Sequence, residues 1–492
     1  MAVCASERGR TGEGKEKSFS RFSPNSPLDF YMRTSSSKAI QVLTCWYPSV
    51  LLVVTRPATA YHVVADMTTQ TKQDHVYDVV IVGGAIAGLA CAVGLVERGL
   101  TNVLVLDKAT KLQPVGASIA LFSNGVKALE YLSPGVADKV KDFCIPIDTM
   151  VLQDLEGNIL HKKKPPTATG VNYLVWFLLQ KYLSETLPEG IMKMGTSMDK
   201  FEVGSDGIVT LSTTSVDTTC TTIRTRIIVG ADGIYSRIRQ QLFGPTPKHY
   251  HEKLMYRAAL STDLVDANYV PPRGTNVGVQ GNVEGKLFSY RETSRDILTI
   301  TSMARLEDGE KSNGCGAIKI DSINKLSAQE KKDLMCQAFT EYPASVQNIL
   351  ENIPPEAVHI DAIRDVDVIE EASRGPIILI GDAAHAMSPS LGQGANQSLE
   401  DAAVLVHGLT RLFSTRATGD NDGPIVCTKA IEAALKQVWD ERFERVSKIH
   451  AASRARSADN NRSSQKAPVD MKSTQLKEIL AEIDKWDAPV DM

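Results

Sequence analysis

The segment that most constrains this chain reads as a strand, a glycine turn, a helix and a second strand. Residues 76–82 and 103–106 are continuous apolar runs, and residues 86–98 carry small and apolar residues at helical spacing before Gly99 ends the helix. Continuous apolar strands are typical of parallel sheets, which are buried on both faces. The segment therefore predicts a βαβ unit at the start of an α/β domain.

The turn between the first strand and the helix has the pattern of a dinucleotide site. Its residues are Gly83, Gly84, Ala85, Ile86, Ala87 and Gly88, and Asp107 follows the second strand. Gly83 permits a tight turn, and Gly88 permits close packing of the helix on the strand. The helix start suits a pyrophosphate, and the Asp107 carboxylate suits ribose hydroxyls. Ala85 departs from the pattern, which has glycine there; a purely structural glycine turn is the alternative.

A second motif follows the apolar run at residues 226–229 and extends from Gly230 to Arg239. Asp232 is flanked by small residues, so its carboxylate can turn toward a ligand hydroxyl, with Ser236 and Arg239 on the first turn of the next helix. The alternative is an Asp that caps the helix beside a solvated arginine, which would be the better interpretation of a lone Asp-Gly pair.

A third motif follows the apolar run at residues 377–380 and extends from Gly381 to Asn396. Asp382 stands at the end of the strand, and a glycine-rich loop leads into a helix. Such a loop brings backbone amides close to a flat, electron-rich ligand. For His385 we favour a packed, hydrogen-bonded histidine, and it is not a candidate base.

Together the three motifs resemble those of the flavin-dependent aromatic hydroxylases, the family of para-hydroxybenzoate hydroxylase, salicylate hydroxylase, kynurenine monooxygenase and zeaxanthin epoxidase. Their order and spacing agree, and the resemblance covers about residues 76–450. It implies an α/β fold in which a Rossmann-like FAD-binding domain of the glutathione-reductase type is interleaved with a mostly antiparallel substrate-domain sheet, followed by C-terminal helices.

The resemblance also implies which residues contact FAD. The first motif and Asp107 would hold the ADP half, Asp232 would serve FAD and NAD(P)H, and Asp382 would bind the ribityl chain. Residues 115–119 resemble the segment that passes under the flavin. The implied contacts are Gly83, Gly84, Ala85, Ile86, Ala87, Gly88, Asp107, Lys108, Gly116, Ser118, Asp232, Asp382, Pro389, Gly392, Gln393, Gly394, Ala395 and Asn396.

One position departs from the family. Members often have an arginine that touches FAD at the start of a helix with two spaced leucines, and here Leu179 and Leu183 have that spacing with Trp176 in the place of the arginine. Other anchors remain, so FAD binding should survive. Flavin mobility and NAD(P)H access are the properties that this departure puts in question.

The activity that the resemblance implies is that of a single-component monooxygenase. It would use NAD(P)H and O2 to hydroxylate or epoxidise a small aromatic or isoprenoid substrate through a flavin C4a-hydroperoxide. We predict no catalytic base, since a base is useful only for a phenol. Tyr256 and Arg257 could line the pocket, although ordinary sheet residues are the simpler interpretation. A reductase of the same fold and a non-catalytic flavin-binding redox protein are the alternatives.

Composition excludes several other classes. The formal net charge is -4 and 23% of residues are charged, so there is no basic excess to bind nucleic acid. The eight cysteines have neither a C-x-x-C pair nor zinc-ligand spacing with histidines, so we expect free thiols and no metal site. Either a monomer or a homodimer is compatible with the sequence.

The N-terminal 75 residues differ from the rest and predict a leader that is disordered or serves targeting. They are rich in Ser, Thr, Lys and Arg, and the apolar run at residues 39–54 lies between basic and small residues, as in a signal peptide. The run is too short to span a bilayer. If the leader is real, an organelle or secretory route follows; if translation starts at Met67, the protein is cytoplasmic.

The remaining chain divides by pattern. We predict an FAD-binding domain at 76–149, 170–247 and 360–412, and a substrate domain at 150–169 and 248–359. C-terminal helices follow at 413–450, and residues 451–492 contain a linker and a terminal amphipathic helix. That helix should pack on its own domain, and peripheral membrane contact is the minor alternative.

Overall fold

The computed structural model describes residues 41–44, 51–54, 75–112, 118–165, 171–283, 285–305, 320–414, 427–459 and 473–490. Contacts divide the chain into two units, Met1–His75 and Val76–Met492. In the first unit, strands β1 (Gln41–Thr44) and β2 (Leu51–Val54) pair antiparallel within the apolar run of the predicted leader. The candidate start Met67 lies outside the described residues.

The strands of the second unit form three sheets. In chain order they are β3 (Val76–Val82), β4 (Val103–Leu106), β5 (Ser118–Leu121), β6 (Ile145–Ile147), β7 (Thr149–Gln153), β8 (Ile159–Lys163), β9 (Val171–Val175), β10 (Met192–Lys193), β11 (Thr196–Val203), β12 (Val209–Ser215), β13 (Cys220–Gly230), β14 (Lys248–Ser261), β15 (Thr275–Gln280), β16 (Leu287–Ser294), β17 (Ile297–Arg305), β18 (His359–Val366), β19 (Ser373–Arg374) and β20 (Ile377–Leu379).

The helices surround these sheets. In chain order they are α1 (Ile86–Glu97), α2 (Ser123–Leu132), α3 (Pro134–Phe143), α4 (Trp176–Thr186), α5 (Arg237–Phe243), α6 (Ala328–Ala338), α7 (Ala344–Asn352), α8 (Asp382–His385), α9 (Gly394–Ser414), α10 (Thr428–Asp459) and α11 (Ser473–Asp484). No helix among the described ranges has the length and apolar character needed to cross a membrane.

The first sheet contains the predicted βαβ unit, which is confirmed as β3, α1 and β4. Its order is β10-β4-β3-β13-β12-β11, with β20 beside β13 and β19 beside β20. Strands β10, β4, β3, β13 and β20 run parallel, whereas β11 and β12 extend the sheet antiparallel. Strands β4 and β20 and the ends of β3 and β13 are buried because helices α1 and α9 cover one face and α10 reaches the other.

The second sheet has the order β18-β14-β17-β16-β15-β7-β8 and is antiparallel except for the parallel pair β7 and β15. Alternate residues of its strands are apolar and pack under α6 and α7, as in the contact of Tyr256 with Phe339 at 5.4 Å between ring centroids. The opposite face carries polar side chains, including Asn276, Arg291 and Thr301.

A small third sheet, ordered β5-β9-β6, lies against that polar face. Ser118 of β5 is 3.2 Å from Thr301 between hydroxyl oxygens, and the Arg291 guanidinium stacks 4.2 Å from the centroid of the Tyr173 ring of β9. The polar face of the large sheet therefore looks toward the strand that leads into α2.

The predicted boundary between C-terminal helices and linker at residue 451 is wrong, because α10 continues to Asp459. Two of the polar residues there, Ser453 and Ser457, are buried, and the partly exposed Arg454 forms ion pairs with Asp365 and Asp367. The terminal helix packs as expected, since Leu480 and Ile483 of α11 are buried against Phe122, Val171 and Ile449.

Candidate active site

The glycine turn of the first motif lies between the end of β3 and the start of α1. Gly83 has φ +115°, and a Cβ there would lie 2.2 Å from the Ala231 carbonyl oxygen, so only glycine fits. A Cβ at Gly88 would lie 1.9 Å from the Gly83 carbonyl oxygen. Ala85 precedes α1, whose first N–H groups have no partner within the helix and point out of the turn. The geometry is that of an anion cradle.

Asp107 lies directly across from this turn. One of its carboxylate oxygens accepts a hydrogen bond from Gly84 N at 2.6 Å, and the other accepts one from Ala109 N at 2.7 Å. Each oxygen has a second lone pair, so the carboxylate retains capacity for ribose hydroxyls. Lys108, the next residue, is exposed. Gln180, a buried residue of α4, donates to the Gly84 carbonyl at 2.8 Å and so supports the turn.

Asp232 has two separate environments for its two oxygens. One accepts hydrogen bonds from the backbone N–H groups of Arg237 at 2.8 Å and Ile238 at 3.4 Å, which caps α5. The other is buried and has no partner among the described residues. The capping interpretation is thus right for one oxygen, and the second remains available to a ligand. The solvated arginine of that alternative is not observed, since Arg239 is buried and donates to the carbonyls of Ile234 and Ala383.

Asp382 begins the short helix α8 at the end of β20. Its side chain is open to solvent on one side and surrounded by protein on the others. Loss of hydration on the protein side raises the pKa of Asp382, and electrostatic interactions with His385 and Arg239 oppose that rise. A carboxylate in such a position forms the wall of a cleft, where hydroxyl donors of a ligand can reach it.

His385 is a packed, hydrogen-bonded histidine, as predicted. It is buried, its ring stacks on Trp439, and its Nε2 lies 2.6 Å from an Asp401 carboxylate oxygen. The same oxygen accepts from Gly381 N at 2.8 Å. Burial alone would raise the pKa of Asp401, but His385 and Arg442 lower it below its usual range. Asp401 therefore holds the turn that presents Asp382.

The loop from Pro389 to Asn396 turns into α9. Gly392 has φ +65°, and the Asn396 side chain accepts from Phe122 N at 3.0 Å and donates to the carbonyls of Ala120 and Gly392, both at 2.9 Å. These bonds tie the loop to β5 of the small sheet. Gly394 and Ala395 start α9, and a Cβ at Gly394 would meet no atom within 4 Å, so the space above the loop is open.

A buried network below this loop was missed by the sequence analysis. Asn124 of α2 donates to Gln393 at 3.0 Å and to Glu400 at 2.6 Å, and Arg442 of α10 forms ion pairs with Glu400 and Asp401. Glu400 and Asp401 were noted only as following the third motif. Nothing in the local pattern links them to an arginine 41 residues away, although buried carboxylates in a helix do require a cation.

The three motifs meet at the carboxyl ends of β3, β13 and β20. Gly83 abuts Ala231, a Cβ at Gly381 would lie 3.0 Å from the Ala87 Cβ, and Arg239 donates to the Ala383 carbonyl at 3.0 Å. In open α/β sheets, ligands bind at this end of the strands. Ser118 lies nearby on β5, whereas Gly116 lies outside the described residues.

The two candidate pocket residues differ. Tyr256 is buried in the apolar layer under α6, so the idea that it lines the pocket is wrong, and burial raises its pKa. Arg257 projects from the polar face and forms an ion pair with Asp361. Trp176 begins α4 and packs against the apolar core of the first sheet. Within the described ranges, no three metal-ligating side chains come together.

These residues fit FAD. The cradle at Gly83 accommodates a pyrophosphate, the unpartnered oxygen of Asp232 and the open carboxylate of Asp382 are acceptors for hydroxyl groups, and the open space over Gly394 suits a flat ring. All three kinds of group are present in an extended flavin nucleotide.

Comparison with known proteins agrees with the geometry. The chain is 27% identical over 402 residues to the FAD-dependent monooxygenase penM of Penicillium crustosum, with 77% of each chain covered. It is 26% identical over 385 residues to a 3-amino-4-hydroxybenzoate 2-monooxygenase of Streptomyces platensis, covering 77% of this chain and 87% of that protein.

A solved structure, Klebsiella pneumoniae HpxO complexed with FAD and uric acid, is similar in fold. Its TM-score is 0.61 at 20% identity, and the match covers 84% of this chain and 93% of that chain. The sequence profile described as "FAD binding domain" matches residues 76–273 and 336–420, more than half of the chain. The chain therefore belongs to the FAD-binding domain family and is, like these relatives, an FAD-dependent monooxygenase.

Proposed function

We propose that this monooxygenase uses NAD(P)H and O2 to place one oxygen atom on a small organic substrate, by hydroxylation or epoxidation. The observation that carries the proposal is the convergence of Asp107, Asp232 and Asp382 on one end of a parallel sheet whose glycine turn excludes any side chain. Three acceptors around a pyrophosphate cradle match a long dinucleotide better than a mononucleotide.

The residues divide the binding task. The start of α1 would hold the pyrophosphate, Asp107 the adenosine ribose, Asp382 the ribityl chain, and the loop from Gly392 to Asn396 the ring. When bound, FAD supplies the redox chemistry: it accepts a hydride from NAD(P)H and activates O2. The amino end of α9, where Gly394 begins the helix, would favour negative charge on the adjacent ring.

We assign the substrate to the polar face of the seven-stranded sheet. This face lies against β5, and Asn396 connects β5 to the ring-binding loop. Because the face is buried, it excludes water, which would otherwise cause the reduced cofactor to be oxidised without product formation. The helices α6 and α7 close the other face of the sheet. Substrate binding at this interface would place the reacting atom between the two sheets.

The proposal is tested on the purified full chain. We expect a yellow protein that binds FAD, consumes NAD(P)H and O2 together with a suitable substrate, and yields a product heavier by one oxygen in mass spectrometry. Asp382→Asn should weaken FAD binding roughly 10-fold or more, because it removes a charged acceptor. Asp138→Asn, on an exposed face of α3, is the matched control.

Two results would favour the alternatives. A protein that binds FAD and oxidises NAD(P)H while reducing its substrate, with no oxygen gained, would be a reductase of the same fold. A protein that binds FAD and consumes neither NAD(P)H nor O2 with any member of an aromatic and isoprenoid panel would be a non-catalytic flavin protein.

A further inference from the structure

The polar face of the seven-stranded sheet contains a buried arginine whose partners are all neutral. Arg291 of β16 is 3% exposed. Its guanidinium donates to Thr301 Oγ1 at 2.7 Å, to Asn276 Oδ1 at 3.1 Å and to Ser118 Oγ at 3.4 Å. The ring of Tyr173 lies 4.2 Å from its central carbon.

The buried Arg442 and the partly buried Arg257 are paired with carboxylates, whereas the buried Arg239 donates to backbone carbonyls. Arg442 has Glu400 and Asp401, and Arg257, on the same sheet face as Arg291, has Asp361. Among the described residues, no carboxylate forms an ion pair or hydrogen bond with Arg291. Burial lowers the pKa of Arg291, and the one charge effect that opposes this comes from Tyr173. A buried cation without an anion is costly, so its presence needs a reason.

Two hydrogen-bond donors at this site have no acceptor, one on Arg291 itself and one on Thr299. The three bonds above use three of the five N–H groups of the guanidinium, and Nε is buried without a partner. Thr299 of β17 lies directly opposite Arg291 in the register, its side chain is fully buried, and its hydroxyl is also unpartnered. Directly opposed residues project from the same face, so both groups serve one site.

This site is next to the ring-binding loop. Ser118, which bonds to Arg291, begins β5, and the carbonyl of Ala120 two residues later accepts from Asn396 of the loop. Two residues of strand span roughly 7 Å. A ligand bound at Arg291 would therefore present its far end to the reacting part of the cofactor.

We propose that Arg291 and Thr299 bind a carboxylate of the substrate, so that the enzyme acts on an organic acid and not on a neutral isoprenoid. A carboxylate supplies the missing negative charge and accepts hydrogen bonds from both unpartnered donors. The ring of Tyr173 below the guanidinium keeps the charged plane in place. This inference rests on the proposed function, because it takes the polar sheet face as the substrate side.

The test compares acids with their uncharged amides. Benzoate and benzamide, and 2-naphthoate and 2-naphthamide, are titrated into the FAD-loaded full chain by calorimetry. We expect each acid to bind at least tenfold more tightly than its amide. Arg291→Gln should raise the Kd of the acids at least tenfold and abolish the difference, and Thr299→Val should raise it severalfold.

Lys286→Gln is the matched control, because Lys286 precedes the same strand but pairs with Glu341 and lies over the rings of Phe339 and Tyr342, which follow α6. We expect it to leave the acid preference unchanged. If Arg291→Gln does not fold, Thr299→Val still decides, since its hydroxyl bonds to no described residue. Equal binding of acids and amides by the unmodified protein, or an acid preference that survives both variants, overturns the inference.

The same preparations separate this inference from the proposed function. A protein that oxygenates a neutral substrate and shows no acid preference retains the proposed function and loses the carboxylate site. A protein that prefers acids but never transfers oxygen supports the site and rejects the function.

Discussion

At the residue scale, the motif glycines and carboxylates contribute in different ways. Gly83 is required by geometry, because a methyl group there would overlap a backbone carbonyl that cannot move. One carboxylate oxygen of Asp232 caps helix α5, and the other is an acceptor with no partner among the described residues. Asp382 has no capping bond and is open to the cleft, so of the three carboxylates it is the one held for a ligand alone.

Gly83→Ala should abolish FAD binding and destabilise the protein. The added Cβ would lie 2.2 Å from the Ala231 oxygen at φ +115°, a region that alanine rarely adopts. We expect a loss of about 2 to 4 kcal/mol in the free energy of unfolding, measured in urea. Gly135→Ala is the control: a Cβ there meets nothing within 4 Å, so stability should change by less than about 1 kcal/mol. Normal FAD uptake by Gly83→Ala would contradict the cradle.

At the element scale, helix α10 joins parts of the chain that the motifs do not. Arg442 reaches Glu400 and Asp401 of α9, and Arg454 near its end reaches Asp365 of β18. Helix α10 thus stabilises α9, which follows the loop of the third motif, and near its own carboxyl end it is joined to β18 of the second sheet. These ion pairs explain why α10 extends to Asp459 through a segment of polar composition.

Arg442→Met should destabilise the protein strongly. Two buried carboxylates would lose their ion pairs with Arg442, although Glu400 keeps Arg445 and Asp401 keeps His385, and breaking a buried pair costs roughly 3 to 5 kcal/mol in comparable cases. Lys436→Met, on an exposed turn of the same helix with an ion pair to Asp440, should cost less than about 0.5 kcal/mol. Urea unfolding of both variants measures the difference; equal, small losses would show that the network adds little stability.

Asp365 should make stability depend on acid pH. Burial alone would raise the pKa of Asp365, but hydrogen bonds from His251 and Arg454 lower it to about 2 from 3.8. A carboxyl group whose pKa is lower in the folded than in the unfolded protein stabilises the fold at pH values above its unfolded-state pKa. Asp365 should therefore contribute about 2 kcal/mol to the free energy of unfolding above pH 4, and this contribution should be lost as the pH falls toward 2. The stability difference between the unmodified protein and Asp365→Asn, measured in urea, should shrink over that range. Hydrogen bonds from Arg454 and His249 also lower the pKa of Asp367, but that side chain is exposed and solvent screens the interaction, so Asp367→Asn should show less of this dependence.

At the scale of the whole second unit, the terminal helix α11 packs beside the elements that form the candidate active site. Helix α11 covers Val171 of the small sheet and Phe122, which follows β5. Lys127 of α2 donates to the Trp486 carbonyl at 2.9 Å and to Asp487 at 2.7 Å. Arg445 donates to the last carbonyls of α11 while it pairs with Glu400. The terminal helix is therefore part of the layer behind the ring-binding loop.

Ile483→Ala should loosen this layer. The side chain is fully buried, and its truncation should cost about 2 to 4 kcal/mol and raise the accessibility of bound flavin to iodide quenching. Val490→Ala, at a residue that is 80% exposed, should change stability by less than about 0.5 kcal/mol. If the variant is destabilised but iodide quenches its flavin no more than in the unmodified protein, α11 stabilises the protein without shielding the flavin.

The local sequence pattern alone was sufficient to predict the strands of the parallel core and the family of the protein. Apolar runs before glycine turns predicted β3, β4, the buried end of β13 and β20 within a residue or two, because a strand buried on both faces must be apolar throughout. The conformations of Gly83 and Gly392 also follow locally, since only glycine adopts them readily. The resemblance to the flavin hydroxylases rested on the same short segments.

Only the tertiary structure decided which distant residues meet. Whether Asp232 caps a helix, whether Tyr256 faces the core or the pocket, and whether residues 451–459 are linker or helix depend on partners far away in the chain. A side chain's charge and polarity are local properties, but its burial and its counter-ion are not. Arg291 shows the difference: the sequence gives its residue type, but its lack of an anionic partner is decided by the packing of the three-stranded sheet on the seven-stranded sheet.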